Sequence, residues 1–137
     1  MAAQVLVLAS EPVSGEVVKQ AIGEEKAADA EVLLVAPALN SRLRFLASDP
    51  DPAIARAEEV VQESVERMVE EGVDAAGDTG ESDPLQAIED ALVTFRAEEI
   101  VLCTNPEGER NWLEEGVVDD VKARFPDLIV RHFEVSA

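Results

Sequence analysis

The chain carries one cysteine, Cys103, so no internal disulfide can form, and a reducing compartment is the natural setting. It carries one histidine, His132, and no cluster of His and Cys at metal-ligand spacing, so no metal is expected. Long apolar runs are missing too: nothing reaches the roughly 18 residues that a membrane-spanning helix needs. The apolar stretch Val5 to Ala9 has no basic region ahead of it and is too short for a signal peptide. A soluble, cytoplasmic protein is the expectation. Basic residues are also scarce. Lys and Arg number 11 against 30 Asp and Glu, for a net charge of -19, and Lys19, Lys26 and Lys122 are the only lysines. Such a chain repels phosphate backbones and anionic membrane surfaces, so neither nucleic acid nor a membrane is expected as a partner. A solvated acidic surface accounts for the charge.

What is present is a regular alternation of two periodicities. With 137 residues, 47% of them hydrophobic, the chain suits one domain over residues 1–137 with one core. Gln4-Val5-Leu6-Val7-Leu8-Ala9 and Glu31-Val32-Leu33-Leu34-Val35-Ala36 are continuous apolar runs, the mark of parallel strands covered on both faces. Ser14 is placed to cap a helix with Glu16 in its first turn, and Gly23 ends or frays it. Pro37 stops the second strand. A segment without clear periodicity follows from Ala38 to Pro50. Asp51-Pro52 then opens a helix whose apolar stripe is Ile54, Val61, Val65 and Met68, with Ala57 between the first two, ended by Gly72. Val73 to Asp78 reads as a polar edge strand. Asp83-Pro84 starts another helix, with Leu85, Ile88, Leu92 and Phe95 inward and Gln86 in capping-box position. Ile100 to Cys103 is a buried strand. Asn111 and Glu114 cap a helix from Trp112, which Gly116 should break or restart. Leu128 to Val135 closes the chain as a strand. This alternation implies an α/β fold: a five-stranded parallel sheet with helices on both faces and right-handed crossovers.

Three stretches together resemble the universal stress protein family. They are the whole five-strand alternation, the segment Gly77-Asp78 with Asp83-Pro84-Leu85-Gln86-Ala87-Ile88, and the strand Ile100-Val101-Leu102-Cys103-Thr104. The segments Asn40 to Phe45 and Pro106 to Leu113 are similar to loops of the small stress-protein-like domains of actinobacteria. The resemblance implies a Rossmann-like sheet of order 3-2-1-4-5 and a homodimer through the last strand. ATP-binding members carry G-x2-G-x9-G-[ST] after the fourth strand. Laid on this chain, those positions fall on Cys103, Pro106, Gly116 and Val117, so one of four survives. Pro106 removes a backbone donor and Val117 a hydroxyl. The family's acidic residue after the first strand is replaced by Ala9 and Ser10, and Glu107 and Glu109 add negative charge beside the loop. No cofactor is therefore expected, and ATP or AMP in the family manner is disfavoured.

The place to look for a ligand is the loop after the fourth strand, because open α/β sheets bind ligands beyond their strands' carboxyl ends. Candidate ligand-binding residues are Ser10, Thr104, Asn105, Gly108 and Gly116, with Arg42, Arg44 and Arg110 as guanidinium forks for a carboxylate or phosphate. Surface carboxylates are the competing partners for those arginines. Cys103 reads as a small core residue, His132 as a solvated or dimer-facing residue, and Trp112 as packing at a helix start. No catalytic residues are expected. Two functions follow: a non-catalytic binding or regulatory domain resembling universal stress proteins, or a nucleotide or small-anion binder with a remodelled loop after the fourth strand. A nucleotidyl transferase would show histidines after the first strand, where Ala9-Ser10-Glu11-Pro12 stands. A phosphoacceptor domain would need an acidic pair there and a lysine after the fifth strand.

Overall fold

Gln4–Ala9 is strand β1, and it lies at the middle of the sheet, paired in parallel with β2 (Glu31–Pro37) on one side and β4 (Glu99–Thr104) on the other. The computed structural model describes residues 3–9, 12–37, 51–80, 84–104 and 117–134. Beyond β2 lies β3 (Asp74–Gly80) and beyond β4 lies β5 (Ile129–Glu134), giving five parallel strands in the order β3-β2-β1-β4-β5. The fold is α/β and Rossmann-like, with the strand order expected above. The helices are α1 (Gly15–Ile22), α2 (Glu24–Asp29), α3 (Asp51–Glu70), α4 (Pro84–Thr94) and α5 (Val117–Arg124).

The two faces of the sheet carry separate core layers. Val5, Val7 and Ala9 of β1 meet Val18 of α1, Ala27 of α2 and Met68 of α3. Leu6 and Leu8 meet Ile88 of α4 and Val121 of α5 on the other face. Residues alternate between faces along each strand, so one apolar run supplies both layers. Among the described residues no helix is long and apolar enough to cross a membrane.

Several expected boundaries shift. The first connection holds two helices rather than one, because Gly23 takes φ +96°, a left-handed value that ends α1, and its carbonyl then accepts the Ala27 N–H of α2. Val73 does not start β3; its N–H donates to the Met68 carbonyl and closes the end of α3. The helix expected from Trp112 is seen from Val117, directly after Gly116; residues 111–116 lie outside the described residues, as does the segment 38–50. The stripe of α3 differs in part from the expected one. Ala57 and Met68 are buried as expected, Val60 and Ser64 are buried besides, and Val61 and Val65 are partly exposed. The reason lies in β3. Gly77 has no side chain, and Val61 and Val65 lean over the edge strand into the space this leaves.

A Cβ at position 77 would stand 2.5 Å from Val61 Cγ1 and 3.0 Å from Val65 Cγ2. These are short, stiff side chains, so α3 must move. Gly77→Ala is expected to lower stability by about 1–3 kcal/mol in urea denaturation, the usual range for overpacking. Adding Val61→Ala in the same chain is expected to return part of that loss. Equal urea midpoints for wild type and Gly77→Ala would contradict this packing.

Candidate functional site

The sheet reverses its direction of winding between β1 and β4. Chain leaving β1 passes through α1 and α2 on one face to reach β2, whereas chain leaving β4 passes through α5 on the other to reach β5. Crossovers that diverge open a crevice beyond the carboxyl ends of the two strands, here at the paired residues Ala9 and Cys103. Thr104, the last residue of β4, sits at this rim opposite Glu134 of β5. Of the other candidates named above, Ser10, Arg42, Arg44, Asn105, Gly108, Arg110 and Gly116 lie outside the described residues.

The start of α1 lies away from this crevice, beside Glu71 and Val73 at the amino end of the sheet. Ser14 holds the N-cap position of α1 in extended conformation, but its side chain makes no capping bond. The Glu71 carboxylate supplies that bond instead: Oε2 accepts the Glu16 N–H at 2.8 Å. Lys19 of the same helix donates through Nζ to the Glu71 carbonyl at 3.1 Å. Gly15 leaves room for this, since a Cβ there would lie 2.6 Å from Glu71 Oε2. The positive end of α1 is thus met by a carboxylate of its own chain. At α5, the helix that begins one residue after Gly116, the first turn contains Asp119 and Asp120. Two carboxylates there oppose a bound anion.

Cys103 is buried on the face shared with α1 and α3 and has no disulfide partner. Burial pushes its thiol up to about 12, far from the thiolate that a nucleophile requires. It is a core residue, as expected. His132 is exposed on β5. Among the described residues no three His, Cys, Asp or Glu side chains are placed to hold a metal ion. Asp78 accepts the N–H of its neighbour Thr79 at 2.9 Å. An open depression of about 360 Å³ is lined by Lys19, Glu24, Glu25, Ala28, Glu71 and Gly72, and its ammonium already serves the Glu71 carbonyl.

Two buried polar residues escaped the sequence reading. Ser64 on α3 is fully buried and accepts the Val13 N–H at 3.0 Å, fastening the chain between β1 and α1 to α3. Its place between Val60 and Met68 in helical spacing is the signal that could have found it. Glu99 is 0% exposed at the start of β4, with Lys26 Nζ 2.6 Å from Oε1 and Arg131 Nε 2.5 Å from Oε2. Those partners lie 73 and 32 residues away in sequence, so no local pattern points to them.

No family model and no curated protein matches the chain. Among solved structures, the lipopolysaccharide core biosynthesis protein from Thermoplasma volcanium GSS1 is similar at 12% sequence identity and a TM-score of 0.40, over 98% of this chain and 96% of that one.

Because the folded state holds the Cys103 proton that an unfolded thiol releases near pH 9, the stabilisation linked to this group is complete below pH 9 and is lost as pH rises toward about 12. Wild type is expected to lose stability across that interval faster than Cys103→Ala, by about 1.4 kcal/mol per pH unit at most. Urea midpoints measured for both across the interval check this; parallel curves would show that the thiol is not shielded.

Proposed function

We propose that this chain is a cytoplasmic, universal stress protein-like domain, a non-catalytic binding or regulatory module that does not hold ATP in that family's manner. The observation that carries this reading is the start of α5. There the family's pattern calls for glycine followed by a hydroxyl residue, and this chain has Gly116 and Val117 with Asp119 and Asp120 in the first turn. A triphosphate at that helix start would meet two carboxylates and no hydroxyl donor. The strand order supports the family reading. The module acts as a homodimer through β5, an edge strand of the described sheet whose Ile129 is 51% exposed.

Isothermal calorimetry with ATP and AMP is expected to show no binding heat at micromolar concentrations. Affinity in that range would overturn the proposal. Light scattering on the purified chain is expected to give twice the monomer mass, and Ile129→Asp is expected to shift the population toward monomer. A monomer throughout the accessible concentration range would remove the dimer without touching the nucleotide result.

A further inference from the structure

Strand β5 is short, and its apolar residues are split between its two faces. Phe133 packs on the layer that contains Val18, and Ile129 shares its face by alternation. Leu128 and Val130 pack on the layer that contains Val121. Sliding the strand by one residue along β4 would exchange these faces, and each layer would still receive large apolar side chains. Hydrophobicity therefore does not decide which face of β5 turns toward α1 and α2. Ile129, on that side, is already half-exposed.

The charged residue on the strand does discriminate. Arg131 pairs with Val101 across the ladder and reaches back along the strand to Glu99, where Nε lies 2.5 Å from Oε2. Glu99 is wholly buried, and its other oxygen is bound by Lys26 of α2 at 2.6 Å. A one-residue slide would carry Arg131 to the opposite face, toward α4 and α5. The position opposite Val101 would pass to Val130 or to the shorter His132, neither of which offers the guanidinium fork that the buried carboxylate now holds beside Lys26. We infer that the Glu99–Arg131 ion pair sets the facing of β5 by excluding slides of an odd number of residues. Lys26 neutralises the same carboxylate but, standing on α2, carries no information about β5.

NMR spectra of wild type, Lys26→Met, Arg131→Gln and the double variant Glu99→Met/Arg131→Met test this. Wild type and Lys26→Met are expected to show one set of β5 signals, with the Phe133 ring contacting the Val18 layer. Arg131→Gln and the double variant are expected to show a second set in which that ring contacts the Val121 layer. Amide exchange over residues 129–134 is expected to quicken by about tenfold or more relative to β1. The double variant leaves no buried carboxylate at position 99, so it separates loss of facing from loss of charge balance. A single native set of contacts in either Arg131 variant would overturn the inference. So would global unfolding of both, since the pair would then carry the whole fold rather than the facing of one strand.

Discussion

Strand β1 must have every backbone N–H and C=O satisfied without water, because its side chains from Val5 to Ala9 are buried on both faces. Two parallel neighbours, β2 and β4, meet that demand. Parallel neighbours require long crossovers, and the crossovers supply the helices that cover each face. Two core layers, the reversal of winding between β1 and β4, and two edge strands at β3 and β5 all follow from placing one continuous apolar run at the centre. Each edge is resolved locally. At β3, Gly77 admits Val61 and Val65 of α3. At β5, an ion pair to a buried carboxylate takes the place of a clear apolar face.

Polar side chains in this fold join segments that are distant in sequence. Ser64 holds Val13 to α3, Glu71 caps α1, and Glu99 binds α2 and β5 to β4. Each ties the fold together across the chain. The exposed pairs do less: Arg56 with Glu59 and Arg67 with Glu63 lie along one helix in water, where such contacts contribute little. The contrast shows where the acidic excess is harmless and where single carboxylates are specific. On the surface of α3 the carboxylates are interchangeable. Glu71 and Glu99 are not, since Glu71 holds a fixed backbone N–H and Glu99 is itself wholly buried.

The same distinction underlies the functional reading. A nucleotide-binding version of this architecture offers bare backbone and a positive helix end to phosphate. Here α5, which follows β4, carries Asp119 and Asp120 in its first turn, while the start of α1 lies at the amino end of the sheet, away from the crevice. Cys103 at the crevice floor is held protonated by burial, which adds no nucleophile.

Most of the fold was legible in the linear chain, because it depends on periodicity. Continuous apolar runs named the inner strands, Gly23 and Gly72 marked helix ends through their left-handed backbone, and the alternation of elements implied a five-stranded parallel sheet, whose order was expected only from the family resemblance. Of the candidate site, the place of Thr104 just beyond Cys103 at the carboxyl end of the fourth strand was legible, although β4 runs on through it. Tertiary structure alone decided the rest. The stripe of α3 turned on Gly77, a residue on another element; the cap of α1 came from Glu71 rather than the adjacent Ser14; and Glu99, which sits in sequence like any surface glutamate before a strand, proved wholly buried. The physical reason is common to all three. Local pattern reports which residues prefer to leave water, whereas the partner that makes a polar or oddly sized group acceptable inside lies tens of residues away and is brought there only by the packed sheet.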